Sequence, residues 1–364
     1  MKLPSYQELS KEQDRINDLP LSGRHLVVGP PGTGKTVMAL YRAVMLNKRR
    51  RKVKLLMYSR LLMQYTQNAA DELLLDGTID TFTRWFYMFY WKNYRERPPE
   101  TEPYRYDFNA ALPRINSSPP KDDVVSDLIV DEGQDLPKEF YLLTPLISTN
   151  VIVFADENQR ITDWCSTIDE IRAYGAFGEA HALTRNYRNT REIADLAATF
   201  YTGLRSGIPD PPERRGEVPV VRGFTDLAAW AEFLLTHEAN NPDRTIGVFV
   251  PTLRLQRRIV HLLGDRPVNP VQMYEGGKGA KGTPVTFDNP GIIVVNYKSA
   301  KGLEFDTVFL PELQEVAEDL DSPDIRMKFY VLVSRARENL HLSYSGLGEP
   351  HILQLIPRHL VDFR

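Results

Sequence analysis

The sequence predicts an α/β fold of parallel sheets flanked by helices. Short apolar runs alternate with helical stretches through the first half of the chain, at residues 26–28, 54–58, 127–130 and 151–155. The alternation begins again after about residue 184, with apolar runs at 245–250, 292–295 and 307–310. Because the helix between two strands returns the chain to the same edge of the sheet, this pattern favours parallel strands.

Two domains account for this pattern, and we place them at residues 1–184 and 185–364. A chain of 364 residues suits two domains, or three, at about 150 residues each. A segment at about 96–124 interrupts the rhythm of the first domain, and its proline and polar residues predict a long surface insertion. In the second domain, helical stretches fall at residues 191–204 and 253–263.

The composition is that of an ordinary globular protein, with 42% hydrophobic residues. No apolar run approaches the roughly 18 residues that would span a bilayer, and the first residues lack the apolar core of a signal peptide. We therefore expect a cytoplasmic protein with no membrane partner. The single cysteine, Cys165, excludes an intramolecular disulfide and a cysteine-rich zinc site. The net charge of −3 means that any nucleic-acid binding uses a localised groove.

A phosphate-binding loop follows the first predicted strand. Residues 29–36 match the pattern G-x-x-x-x-G-K-[ST] between an apolar run and a helix-forming stretch. Glycines let backbone N–H groups curl around phosphates, the lysine neutralises the β and γ oxygens, and the hydroxyl holds Mg²⁺. The pattern predicts a site for ATP or GTP with Mg²⁺, formed by Gly29, Gly32, Thr33, Gly34, Lys35 and Thr36.

Two carboxylates follow the third predicted strand. Asp131 and Glu132 stand directly after the apolar run at residues 127–130, where a phosphate-loop ATPase needs one acid near Mg²⁺ and another to activate water. We expect Asp131, with Thr36, to hold the metal and Glu132 to act as the general base. An acidic helix start facing solvent is the alternative for such a pair taken alone. The continuation Gly133-Gln134-Asp135 makes the signal specific.

The ordered motifs of the chain resemble those of UvrD/Rep-like superfamily 1 helicases over about residues 13–344. The resemblance implies two RecA-like P-loop NTPase domains and a nucleic-acid-stimulated ATPase. Its expected activity is that of a DNA helicase or translocase moving 3′ to 5′ along single-stranded DNA, or RNA. The strings that carry it are Asp131-Glu132-Gly133-Gln134-Asp135, Ala155-Asp156-Glu157-Asn158-Gln159, Asn186-Tyr187-Arg188, Ser299-Ala300-Lys301-Gly302-Leu303-Glu304-Phe305-Asp306 and Val333-Ser334-Arg335-Ala336.

The resemblance also assigns residues to the nucleoside. Gln13 is similar to the glutamine that reads the adenine edge, because a side-chain amide offers a donor and an acceptor together. Tyr187 resembles the tyrosine that stacks on the adenine ring. Glu304 resembles the glutamate that contacts the ribose. These three residues complete the predicted nucleotide site.

Three further residues are similar to the family's γ-phosphate contacts. Gln159 resembles the sensor glutamine after the third-motif strand. Arg188 and Arg335 resemble the two arginines of the second domain that stabilise charge spreading in the transition state, an effect of roughly 10³ to 10⁵ in rate. Outside these motifs, a surface ion pair would be the ordinary explanation for either arginine.

Nucleic-acid contacts are also implied by the resemblance. Trp164 stands where the family places a base-stacking residue, and a buried core tryptophan is the alternative. Lys298 replaces a histidine that the family commonly has, and we expect Lys298 and Asn296 to alter the contacts with the nucleic-acid backbone. Other residues at positions expected to contact the nucleic acid are Tyr58, Thr81, Phe82, Asn296 and Lys298.

Two biased segments have a structural explanation and a functional one. The aromatic stretch at residues 85–91 favours a buried helix or a partner-binding face over a nucleic-acid site. The basic run at residues 48–54 favours a solvated connection over a phosphate-contacting patch. Both preferences are testable by burial.

The spacing of the motifs leaves room for a much reduced 1B subdomain and no full 2B subdomain of the family. This leaves two alternatives to a helicase. The first is an ATPase subunit that regulates a partner nuclease or other effector in a bacterial or phage defence or repair complex. The second is a catalytically silent nucleic-acid-binding module, which the intact Lys35, Asp131, Glu132, Gln159, Arg188 and Arg335 argue against.

Overall fold

The chain forms two compact units, the first running to Thr184 and the second beginning at Arg185, except that Gly207 belongs to the first. The structure is a computed structural model. For residue 6 and residues 67–72 it describes the backbone alone. The described residues are 6–58, 60–73, 75, 77–103, 105–156, 166–203, 207–264, 270–274, 285–287, 289–316, 320 and 322–364.

The first unit is built on a parallel sheet with the strand order β3-β2-β6-β7-β1-β8. A separate antiparallel hairpin, β4 with β5, precedes β6 in the chain. The strands are β1 (Arg24–Val28), β2 (Val53–Met57), β3 (Ile79–Thr81), β4 (Glu100–Glu102), β5 (Arg105–Tyr106), β6 (Val125–Val130), β7 (Ser148–Ala155) and β8 (His181–Ala182).

Helices connect these strands, and the inner strands β6 and β7 are buried along most of their length. Strands buried on both faces need apolar residues in succession rather than in alternation, as in Leu128-Ile129-Val130. The helices are α1 (Lys11–Asn17), α2 (Lys35–Lys48), α3 (Arg60–Glu72), α4 (Phe82–Tyr94), α5 (Phe108–Ser117), α6 (Lys138–Ile147) and α7 (Ile168–Tyr174).

The segment predicted as a surface insertion, residues 96–124, contributes to the core instead of only lying outside it. It contains the hairpin and helix α5, which buries Phe108, Ala111 and Ile115 in the main apolar cluster of the first unit. These residues are three and four positions apart and share one face of the helix. The proline and polar residues lie around and on the other face, which is why composition alone predicted a loop.

The second unit has its own parallel sheet, with the order β11-β12-β10-β13-β14-β9-β15. Its strands are β9 (Val220–Phe224), β10 (Thr245–Val250), β11 (Gln272–Tyr274), β12 (Gly291–Asn296), β13 (Phe305–Leu310), β14 (Ala336–Ser345) and β15 (Asp362–Phe363). Its helices are α8 (Arg191–Ala198), α9 (Leu227–Asn240), α10 (Leu253–Leu263) and α11 (Pro323–Val333).

Together these sheets confirm the predicted fold class of parallel sheets flanked by helices, the architecture of RecA-like domains. In the second unit, α9 and α10 pack their apolar faces against β10, β12 and β13. Within the described ranges, no helix is both long enough and apolar enough to span a bilayer.

The aromatic stretch at residues 85–91 lies on helix α4. Trp85, Phe86, Phe89 and Tyr90 are buried in the core of the first unit. On the opposite face of the same helix, Met88 is 39% and Trp91 41% exposed. The helix is therefore mainly a core element with a small exposed apolar edge. In the basic run at residues 48–54, Lys48, Arg49 and Arg50 are exposed and Arg51 pairs with Asp127, so the preference for a solvated connection stays a prediction.

Candidate nucleotide site

The phosphate loop lies between β1 and α2, as predicted. Gly34 caps α2 with a left-handed backbone, at φ 89°, a conformation that glycine adopts without the strain of a side chain. A Cβ at this position would lie 2.4 Å from the Gln13 Nε2 atom. Gly34 therefore allows both the turn of the loop and the close approach of α1. The backbone N–H groups of the first turn of α2 are then placed for an anion.

Lys35 is buried within the loop. Its Nζ atom donates to the carbonyls of Gly29 at 2.6 Å and Pro30 at 3.0 Å, and lies 3.7 Å from the Asp156 Oδ2 atom. Asp156, at the end of β7, is also buried. Two carbonyl oxygens and one carboxylate oxygen therefore surround this ammonium, which carries the positive charge that a phosphate would need.

Thr36 and Asp131 meet across the sheet. The Thr36 hydroxyl donates to the Asp131 Oδ2 atom at 2.8 Å, although 95 positions separate them. Burial, together with the neighbouring Glu132 carboxylate, raises the pKa of Asp131 to about 7, against the opposing effect of the hydrogen bond from Thr36. A hydroxyl and a carboxylate are the hard oxygen ligands that Mg²⁺ prefers. These two residues fit the predicted metal site.

Glu132 lies just beyond the carboxyl end of β6, an inner strand of the same sheet. Its backbone is left-handed, at φ 53°, and the carboxylate accepts from the Gln134 Nε2 atom at 2.6 Å. The Gln134 Oε1 atom in turn accepts from the Asp156 backbone N–H at 2.8 Å. Gln134 and Asp156 thus join the site, although no role was predicted for them. Their place in the motif strings was the signal that could have identified them.

Gln13 reaches the phosphate loop from α1. Ser10 and Gln13 form a capping box at the start of this helix, and the Gln13 Nε2 atom donates to the Thr33 carbonyl at 3.2 Å. Thr33 is itself buried and donates from its hydroxyl to the Pro30 carbonyl at 3.0 Å. The structure therefore brings the predicted adenine-reading glutamine next to the phosphate loop.

In the second unit, Arg188 and Glu304 form an ion pair. The Arg188 Nε atom donates to the Glu304 Oε2 atom at 2.7 Å. The adjacent Tyr187 is 41% exposed, and the Arg185 guanidinium lies 5.7 Å from the centre of its ring. Tyr187 thus presents a ring face of the kind that stacks on a base.

Arg335 is buried in the second unit. Its Nε atom donates to the Val331 carbonyl at 2.9 Å and its Nη1 atom to the Leu303 carbonyl at 3.3 Å. Its Nη2 atom donates to the Ser334 hydroxyl at 3.1 Å. The side chain is therefore anchored by its own unit, and the predicted contact with a γ-phosphate stays a prediction.

The candidate nucleic-acid residues occupy different environments. Thr81 caps α4, and the Phe82 ring packs edge-on against Phe140 at 5.1 Å in the core, so nucleic-acid contact there would fall to the backbone. Tyr58 is half-buried. Asn296 uses its amide locally, donating to the Pro251 carbonyl, whereas Lys298 is exposed. Gln159 and Trp164 lie outside the described residues.

Residues 16–163 match the AAA_19 family model, an AAA domain. No curated protein matches the sequence. The match to the AAA domain model supports an NTPase-type function, and it covers the phosphate loop together with Asp131 and Glu132.

Two solved structures resemble the chain at low identity. The C-terminal domain of a possible DNA helicase from Lactobacillus plantarum WCFS1 is 22% identical, with a TM-score of 0.36, and the likeness covers 49% of this chain and 98% of that one. Arterivirus nonstructural protein 10, a helicase, is 14% identical, with a TM-score of 0.44. That likeness covers 95% of this chain but only 64% of the viral chain, so this chain spans less than two thirds of it.

Proposed function

We propose that the chain is a DNA helicase or translocase of the UvrD/Rep-like kind that hydrolyses MgATP and moves 3′ to 5′ along single-stranded nucleic acid. The observation that carries the hydrolytic part is the 2.8 Å bond between Thr36 and Asp131. It unites the two predicted metal ligands beside the phosphate loop. The track and the direction rest on the motif resemblance.

The proposal assigns a role to each candidate site residue of the first unit. Lys35 and the loop N–H groups bind the phosphates, and Thr36 and Asp131 hold Mg²⁺, which neutralises phosphate charge when bound. Glu132 orients the attacking water and accepts its proton. Gln159 is the proposed sensor of the γ-phosphate.

The proposal also assigns tasks to the nucleoside and to the second unit. Gln13 reads the adenine edge, Tyr187 stacks on the base, and Glu304 contacts the ribose. Arg188 and Arg335 stabilise charge on the γ-phosphate in the transition state.

We assign base stacking on the single-stranded nucleic acid to Trp164, as the motif resemblance implies. Further contacts are assigned to Tyr58, Thr81, Phe82, Asn296 and Lys298. DNA is the proposed track, and RNA is the alternative that the turnover experiment distinguishes.

The test is ATP turnover by the purified chain with and without single-stranded DNA or RNA. We expect nucleic acid to stimulate turnover, Lys35→Ala to abolish it, and Trp164→Ala to weaken the stimulation alone. Lys92→Ala is a matched control, because this exposed lysine pairs with Asp123 on the surface and belongs to no predicted site. Turnover by Lys35→Ala equal to that of Lys92→Ala would contradict ATP hydrolysis at this site.

The second candidate is an ATPase subunit that regulates a partner nuclease or effector. The exposed Met88 and Trp91 on α4 favour it, because large apolar side chains exposed together are typical of protein contacts. In this case turnover would persist without response to either nucleic acid, and the purified chain would not unwind a duplex. A helicase assay on a 3′-tailed duplex separates the two candidates.

A further inference from the structure

The turn that carries Arg188 is closed by buried side chains. The Asn186 Oδ1 atom accepts from the backbone N–H groups of Arg188 at 2.9 Å and Asn189 at 3.2 Å. The Asn186 Nδ2 atom donates to the Asn189 Oδ1 atom at 2.8 Å. Asn189 is only 1% exposed. The turn is therefore a fixed unit rather than a loose loop end.

Asn189 fastens this turn to the segment that carries Arg335. Its Nδ2 atom donates to the Ser334 carbonyl at 3.1 Å and to the Ala336 carbonyl at 2.5 Å, the two carbonyls on either side of Arg335. The Ser334 carbonyl also accepts from the Arg188 Nη1 atom at 3.4 Å. One buried amide thus ties together two chain segments 145 positions apart.

Arg214 makes a second connection between the same segments. Its Nη2 atom donates to the Arg188 carbonyl and to the Arg337 carbonyl, the latter at 2.6 Å. Its Nη1 atom lies 3.6 Å from the Glu338 Oε1 atom, and the side chain is 43% exposed. The planar guanidinium suits a bridge between two fixed carbonyls better than a flexible lysine does.

Two side chains from separate stretches of sequence therefore join the same pair of segments, and each segment carries one of the predicted arginines. We infer that Asn189 and Arg214 are positioning residues that hold Arg188 and Arg335 in a fixed mutual register for the transition state. The inference rests on the proposed function. Its physical reason is that a shift of about 1 Å in a charge-stabilising group can lower the rate roughly 100-fold.

The experiment compares Asn189→Ala, Arg214→Ala and Arg214→Lys with the wild-type chain. We expect kcat for ATP in saturating single-stranded DNA to fall roughly 10- to 100-fold in the alanine variants, while KM stays within about threefold, because a transition-state interaction is lost. Arg214→Lys should recover part of the loss. The alanine variants should bind MgADP with the same affinity as the wild-type chain. Aluminium fluoride, a γ-phosphate mimic, should increase that affinity less in these variants than in the wild-type chain.

Asn241→Ala is the matched control, since the Asn241 amide also donates to a carbonyl of the second unit, that of His237, at 2.8 Å. If Asn189→Ala does not fold, the two variants of the half-exposed Arg214, Arg214→Ala and Arg214→Lys, decide the question. Unchanged kcat and unchanged aluminium fluoride affinity in the Arg214 variants would overturn the inference and leave the proposed function intact. If Lys35→Ala hydrolyses ATP as fast as the wild-type chain does, both the inference and the proposed function are overturned.

Discussion

The ends of β6 and β13, one in each unit, have the same local form in different surroundings. A glutamate with a left-handed backbone follows each strand, Glu132 at φ 53° and Glu312 at φ 54°, and a short 3-10 turn comes next. The glutamine two residues later donates to the glutamate, Gln134 at 2.6 Å and Gln314 at 2.9 Å. Because a left-handed backbone costs about 1 to 3 kcal/mol, each turn must be stabilised by its neighbours.

The neighbours differ between the two turns. In the first unit the preceding residue is Asp131, which bonds to Thr36 of the phosphate loop. In the second unit the preceding residue is Pro311, and the Glu312 carboxylate accepts from the Ser345 hydroxyl of β14 at 3.0 Å. The same turn therefore has different neighbours in the two units: a phosphate loop beside the first and strand β14 beside the second.

The largest expected difference between the turns is in turnover. Glu132→Gln should lower kcat for ATP roughly 10²- to 10⁴-fold, since it removes the proposed general base. Glu312→Gln should leave kcat within about twofold, because a change that touches no reacting group removes no transition-state stabilisation. Steady-state turnover checks both variants, and fluorescent nucleotide binding shows whether Glu132→Gln still binds ATP.

An equal loss in the two variants would remove the distinction between the turns. It would mean that the glutamate carboxylate in both units serves the fold, or that both serve catalysis. Loss of nucleotide binding in Glu132→Gln would instead indicate a binding role for this carboxylate.

The second unit should also respond to acid through its stability. His341 on β14 stacks on Phe309 at 4.6 Å, and burial, aided by His237, Arg222 and Arg364, lowers its pKa from 6.5 to about 3. The unfolded chain therefore binds the extra proton between these two values. The stability from burying the neutral ring is present above pH 6.5 and is lost as the pH falls.

We expect the free energy of unfolding to fall by about 2 kcal/mol between pH 7 and pH 5 from this group. Burial also lowers the pKa of His237, which adds in the same direction. Urea unfolding at both pH values, compared with His341→Phe, measures the effect. The phenylalanine variant should lose less stability on acidification, and an identical loss would exclude His341 as its source.

Much of the fold was predictable because its signals are local. The inner strands are continuous apolar runs, so the predictions at β10 and β13 are confirmed within two residues. Short edge strands such as β8 and β15 have two residues each, too few to show any periodicity. The buried face of α5 was obscured by the polar residues and the proline that surround it.

In the candidate site, too, some residues are identifiable from local sequence and others only from long-range contacts. Lys35 and Thr36 stand in one continuous pattern, and Asp131 follows directly on a strand, so local sequence identifies them. Asn189 and Arg214 act through contacts with residues more than a hundred positions away. No periodicity or motif marks Arg214, and only the folded chain shows the contacts on which its proposed role rests.

The smallest expected difference concerns the two glutamines. Gln134 is fully buried and makes two side-chain hydrogen bonds, to Glu132 and to the Asp156 backbone, so Gln134→Ala should cost about 1 to 3 kcal/mol of stability. Gln314 is exposed, and Gln314→Ala should cost no more than about 0.5 kcal/mol. Urea unfolding compares the pair. Equal costs would mean that the buried hydrogen bonds of Gln134 add no more stability than those of the exposed Gln314. A larger cost at Gln134 would show that its hydrogen bond to Asp156, the residue that follows β7, stabilises the first turn.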